Sequence, residues 1–212
     1  MLGDVLLIKD KHRKAARKIV NHVESKMDGE KIIIAVSGES GSGKSEVAHL
    51  VAQGLKALQT PAKVLHVDNY YQVAPKDRKM WRLEHGLESI GPDEYDWDLI
   101  NQHMADFRAD AGEVTIPCVD LLTDQIDHLK TSFHGLKYMI VEGLFAIKAD
   151  ADLRILIDLT YHETKSSQQE RGKESVNEYR WQVLEQEHQE VQALRPLTDL
   201  LVTGDFDLKE IQ

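Results

Sequence analysis

The chain has 212 residues, 42% of them hydrophobic and 29% charged, the proportions of a globular protein with its own core rather than of a disordered or fibrous one. Its single cysteine, Cys118, leaves no disulfide framework, and 26 Lys and Arg against 36 Asp and Glu give a formal charge of -10, which repels polyanions and excludes a nucleic-acid-coating role. No apolar run approaches the ~20 residues of a membrane helix, and the N-terminal stretch lacks a signal-peptide core. The expectation is therefore one cytoplasmic domain over residues 1–212, with neither nucleic acid nor membrane as partner.

Residues 10–27 place Ala15, Ala16, Ile19, Val20 and Val23 at helical spacing, which predicts an amphipathic surface helix. Ile32-Ile33-Ile34-Ala35-Val36 is a β-branched run without alternation, the pattern of a strand buried on both faces. Glycines follow. Residues 45–58 then return to helical periodicity, and Val64-Leu65-His66-Val67 reads as a second strand. A strand, loop, helix, strand unit joins parallel strands, so the predicted class is α/β, with helices on both faces of a mostly parallel sheet. Residues 70–91 are charged, aromatic and weakly periodic, which predicts a long irregular segment of functional use. A helix from 92 or 93 to 109, strands at 114–118, 137–141, 153–159 and 200–203, and helices over 160–171 and 173–194 complete the expected order.

The strongest signal is Gly38-Glu39-Ser40-Gly41-Ser42-Gly43-Lys44-Ser45, which fits G-x-x-x-x-G-K-[ST] between a predicted strand and a predicted helix. Such a P-loop turns successive backbone N–H groups toward phosphate oxygens, aided by the positive end of the following helix. These eight residues, with Glu46 next to them, are the candidate ATP site. Lys44 is expected at the β- and γ-phosphates and the Ser45 hydroxyl on Mg²⁺. A P-loop serves kinases, ATPases and GTPases alike, and the absence of N-K-x-D argues against the last.

Two carboxylates narrow the choice. Glu142 ends the predicted strand of Tyr138-Met139-Ile140-Val141, at the sheet edge where open α/β sheets bind ligands, and is the second candidate for Mg²⁺. Asp68 follows the strand at 64–67, and a carboxylate there is placed to take the proton of an attacking hydroxyl. Arg78, Lys79 and Arg82 follow it and form either an anion-holding group or a solvated face.

With these motifs in order, the chain resembles the uridine kinase and phosphoribulokinase family of P-loop kinases. The family's D-[ST]-[FY]-Y is similar to Asp68-Asn69-Tyr70-Tyr71, its H/G-P-[DE]-A-[FY]-D to Gly91-Pro92-Asp93-Glu94-Tyr95-Asp96, its I-P-x-Y-D to Ile116-Pro117-Cys118-Val119-Asp120, and its V-E-G to Val141-Glu142-Gly143. The resemblance implies a helical lid at about 160–173, with Arg171 of Glu170-Arg171-Gly172 as its phosphate-contacting arginine. It also implies substrate contacts from Tyr70, Tyr71, Asp93 and Asp120, adenine near residues 203–206, and a homodimer or homotetramer. The chain departs from the uridine-kinase pattern where Ile90 replaces a ribose-binding acid and Val119 a pyrimidine-holding tyrosine, and its lid is poor in arginine. The implied activity is ATP-dependent phosphoryl transfer to a hydroxyl of a nucleoside or sugar. A kinase acting on a sugar phosphate, or a degenerate nucleotide-binding regulator on the same fold, remains open beside it.

Overall fold

The computed structural model describes residues 3–165 and 178–211. Among them, helix α1 (Asp10–Lys26) precedes strand β1 (Ile32–Gly38), which leads through the glycine loop into α2 (Lys44–Ala57) and back to β2 (Ala62–His66). After a 3₁₀ turn at Val67–Tyr70 come α3 (Pro75–His85), α4 (Trp97–Arg108), and the strands β3 (Val114–Asp120) and β4 (Gln125–Thr131). The chain continues through β5 (Tyr138–Glu142), β6 (Leu153–Ile157), α5 (Glu178–Leu194), β7 (Leu200–Val202) and β8 (Leu208–Glu210).

Six strands form one sheet in the order β2-β5-β1-β6-β7-β8, parallel except for β8. β1 lies between β5 and β6 and is buried along its whole length, which accounts for the unbroken apolar run from Ile32 to Val36. Strand periodicity still sorts its side chains. Ile32, Ile34 and Val36 pack with Ala15, Ile19 and Val23 of α1 and Val47, Val51 and Leu55 of α2, while Ile33 and Ala35 pack with Ile100, Met104 and Phe107 of α4, Phe133 and Val191 of α5. The predicted three-layer α/β fold is thus present, with two apolar cores separated by the sheet.

Local departures from the predicted elements have identifiable causes. Residues 70–91 are not irregular throughout: α3 lies within them, with Pro75 at its first position and Gly86 at φ +83° just after its end, both standard helix boundaries. Its only buried residue is Arg82, so no apolar stripe announces it. The predicted strand at 114–118 does not join the main sheet; it extends to Asp120 and pairs antiparallel with β4 as a separate hairpin. β4 is largely solvent-exposed, which is why hydrophobicity did not mark it. The helix predicted from residue 92 or 93 is a 3₁₀ turn (Pro92–Glu94) followed by α4, whose start is fixed by Asp96 Oδ1 accepting from the Leu99 amide at 2.9 Å. Residues 161–164 are turns rather than part of a long helix.

Candidate active site

The parallel register brings the carboxyl ends of β1, β2 and β5 to one edge of the sheet. β1 ends at Gly38, and the loop closes into α2 through Gly41 at φ +80° and Gly43 at φ +93°, conformations that favour glycine. A Cβ on Gly38 would stand 2.6 Å from Ser42 Oγ, and one on Gly43 2.8 Å from His12 Nε2, so the cradle admits no side chain at either place. Ser42 Oγ is buried and has no hydrogen-bond partner among the described residues, an orphan that a phosphate oxygen would satisfy. Lys44, the first residue of α2, is buried directly after the same loop.

Ser45 Oγ donates to Glu142 Oε1 at 2.9 Å, and Glu142 Oε2 lies 2.8 Å from His66 Nδ1. The sheet sets up the second contact directly, because His66 and Glu142 are register partners of β2 and β5. Burial pushes the Glu142 carboxyl up, but the His66 hydrogen bond, the Lys44 charge and the Ser45 hydrogen bond outweigh it and hold the group at about 2. Glu142 is therefore a carboxylate beside a serine hydroxyl, a donor pair that suits Mg²⁺. That ion keeps water and substrate phosphates in most of its coordination shell and needs only one or two protein ligands. No cluster of three or more His, Cys, Asp or Glu placed for a metal occurs among the described residues.

Asp68 sits in the 3₁₀ turn directly after β2, two residues beyond His66. The Tyr95 hydroxyl lies 3.5 Å from Asp68 Oδ1 and 2.6 Å from the Tyr71 hydroxyl. Burial raises the pKa of both phenols far above the ordinary tyrosine value, so they stay protonated as neutral hydrogen-bonding groups beside the carboxylate. Lys44, Ser45, Glu142, Asp68 and Tyr71 thus belong to one sheet edge.

Other predicted site residues have different surroundings. Tyr70 is in the core, its hydroxyl 2.8 Å from His103 Nδ1. Asp93 has a 98% exposed side chain, 3.6 Å from Lys148 Nζ, and Asp120 accepts from the Leu122 amide at 2.8 Å in the β3–β4 turn. Glu46 Oε1 accepts from the Leu7 amide at 3.1 Å, tying down the N-terminal segment. Glu39 accepts from the Tyr161 amide at 2.7 Å and from Gln192 Nε2 at 3.0 Å, with His188 Nδ1 at 2.7 Å. Phe206 is fully buried at φ +59°, 5.2 Å from the His12 ring, so its ring offers no face to an adenine. Arg171 lies outside the described residues.

No motif marks His66 or the ion network around α5, and Arg82, expected in an anion-holding group or a solvated face, is instead buried in that network. Arg82 donates from Nε and Nη2 to both oxygens of Glu94 at 2.7 and 2.8 Å. Glu187 lies 3.9 Å from Arg82 Nη1 and 3.4 Å from Arg180 Nη1, and Arg180 Nη2 reaches Ser40 Oγ at 3.4 Å. The Y-R-W-Q-V-L-E-Q-E-H run of residues 179–188 was the available signal, since Arg180 and Glu187 are seven apart on one helix face.

Comparison with known proteins gives the family. The sequence model of the Phosphoribulokinase / Uridine kinase family matches residues 33–166, more than half of the chain. The chain belongs to this family. A uridine kinase of Schizosaccharomyces pombe is 30% identical over 129 residues, covering 60% of this chain and 27% of that protein. A bifunctional alpha-galactosidase/sucrose kinase of Mediterraneibacter gnavus is 25% identical over 93% of this chain and 23% of its own length. The chain therefore spans about a quarter of the length of these two relatives. In fold it is similar to a D-glycerate 3-kinase of Cryptococcus neoformans, with a TM-score of 0.59 at 10% identity, over 95% of this chain and 98% of that one. The proteins similar to this chain thus carry names for three different acceptors.

Proposed function

We propose that the chain is an ATP- and Mg²⁺-dependent kinase that transfers the γ-phosphoryl group to a hydroxyl of a small metabolite. The observation that carries this reading is the continuous chain of contacts from Ser45 through Glu142 to His66, with Asp68 two residues on. A carboxylate suited to a metal and a second carboxylate at the same sheet edge as the phosphate loop support phosphoryl transfer to an alcohol. The loop amides and Lys44 hold the triphosphate, and Ser45 and Glu142 would hold Mg²⁺, which when bound would neutralise charge on the transferring phosphoryl group. Asp68 accepts the proton as the acceptor oxygen bonds to the γ-phosphorus, and the bond from that phosphorus to the β-bridging oxygen breaks to leave ADP. Tyr95 and Tyr71 orient the Asp68 carboxylate and border the acceptor.

A coupled assay of ATP consumption over nucleosides, sugars, sugar phosphates and hydroxy acids tests the reading. The expected result is turnover that depends on one acceptor class and on Mg²⁺, lost by a factor of about 100 or more in Asp68→Asn while nucleotide still binds. Nucleotide binding with no acceptor-dependent consumption over the whole panel would overturn it.

A further inference from the structure

Helix α3 places Arg78 in its first turn, with the guanidinium carbon 3.2 Å from the centroid of the Tyr71 ring. Tyr71 in turn packs on Tyr95, ring centroids 4.1 Å apart, and the Tyr95 hydroxyl lies 3.5 Å from Asp68 Oδ1. One aromatic pair therefore carries a cation at one end and the proposed base at the other. Successive contacts thus link Asp68, Tyr95, Tyr71 and Arg78, and the guanidinium stands within the span of a small metabolite from the Asp68 carboxylate.

The two arginines of α3 that flank this pair are bound differently. Arg82 is fully engaged by Glu94, with Glu187 nearby. Arg78 forms no ion pair among the described residues, and its Nε, buried from solvent, has no hydrogen-bond partner among them. The protein holds the guanidinium through the face of a ring, and stacking of that kind leaves the in-plane N–H edge open. That edge is the one that binds phosphate or carboxylate through two parallel hydrogen bonds.

We infer that Arg78 anchors an anionic group on the phosphoryl acceptor, so that the acceptor class is a small hydroxyl-bearing phosphate monoester or carboxylate rather than a neutral nucleoside or sugar. This inference rests on the reading of Asp68 as the base, since Asp68 fixes which side of the cradle the acceptor occupies. A neutral acceptor closing over this wall leaves Arg78 desolvated and unpaired, a cost that the anionic analogue avoids.

The test uses the full chain in phosphate-free buffer and pairs of probes that differ only in charge: glycerol against glycerate and glycerol 3-phosphate, ribose against ribose 5-phosphate. Turnover with ATP is measured beside calorimetric binding of each probe to the protein saturated with a non-hydrolysable ATP analogue. The expected result is binding and turnover of at least one anionic probe over its neutral partner. In Arg78→Gln the KM or Kd for that probe rises about tenfold to a hundredfold, the nucleotide Kd is unchanged, and Arg78→Lys recovers part of the loss. The carboxylate and phosphate arms tell which anion is read. Neutral probes used as well as anionic ones, no binding of any anionic probe, or an Arg78→Gln protein with unchanged acceptor affinity each overturn the inference. Anionic binding that depends on Arg78 without ATP consumption upholds it and overturns the kinase reading instead, so the two failures are distinct.

Discussion

Arg82→Leu isolates the energetics of the acceptor side. Arg82 and Glu94 are 7% and 6% exposed and joined by two hydrogen bonds of 2.7 and 2.8 Å. Leucine at position 82 keeps the volume but leaves the Glu94 carboxylate buried without its partner, and breaking a buried pair from one side costs about 3–5 kcal/mol. Glu187 suffers less, because Arg180 remains 3.4 Å away. For a domain of this size each kcal/mol moves the midpoint by about 2–4 °C, so the melting temperature is expected to fall by roughly 6–20 °C. The double variant Arg82→Leu/Glu94→Leu removes both charges, and apolar replacement of a whole buried pair is close to neutral. It should therefore be more stable than Arg82→Leu alone. Urea unfolding of the wild type, both single variants and the double variant closes the cycle. A single-variant loss below about 1 kcal/mol, as for exposed pairs, or a double variant no more stable than Arg82→Leu, would refute the reasoning.

Further outcomes follow from the cradle and its carboxylates. Because the Glu142 carboxyl is held at about 2 against an ordinary 4.5, its contribution to stability is fully present above pH 4.5 and is lost as pH falls toward 2; Glu142→Gln should flatten that part of a urea-unfolding series from pH 7 to pH 3, besides weakening Mg²⁺-dependent nucleotide binding. Gly43→Ala meets both a φ of +93° and His12 Nε2 at 2.8 Å, so a loss of about 1–3 kcal/mol is expected, and His12→Ala in the same chain should recover the contact part but not the backbone part, as thermal unfolding will report. Lys44→Ala should leave the fold intact by circular dichroism and reduce nucleotide affinity at least tenfold by calorimetry.

What the sequence made legible is what depends on local pattern. β1 could be read because a strand buried on both faces shows an unbroken apolar run, here Ile32 to Val36, and the glycine loop because its φ values and close approaches leave few other residues possible. Glu142 and Asp68 could be placed at the sheet edge because each follows an apolar run. α3 was hidden because the residue it buries is an arginine, whose burial depends on Glu94 twelve positions away. β4 was hidden because a two-stranded hairpin leaves most of its side chains in water. The placement of His66 opposite Glu142 depends on strand order, β2 beside β5, and no local window contains that information.

The same distinction explains why α5 matters to the site although no motif marked it. Glu39 and Ser40 belong to the phosphate loop, yet Glu39 is gripped by Gln192 and His188 of α5 and by the Tyr161 amide, and Ser40 lies between Arg180 and Thr164, whose hydroxyl donates to its carbonyl at 2.8 Å. On the same helix Glu187 faces Arg82 of α3, the helix that carries Arg78. One rigid element therefore touches both the loop that cradles the donor and the helix that borders the acceptor. If the distance between the two half-sites is held by α5, loosening its grip must act on transfer more than on either binding step, since alignment of the reacting atoms is what remote positioning supplies. Glu39→Gln keeps the shape of the loop but removes the charge that His188 faces. The expected result is a kcat lowered about tenfold with nucleotide and acceptor Kd values within twofold of wild type. A variant that loses nucleotide affinity in proportion to kcat would instead assign Glu39 to the cradle itself and remove α5 from the catalytic argument.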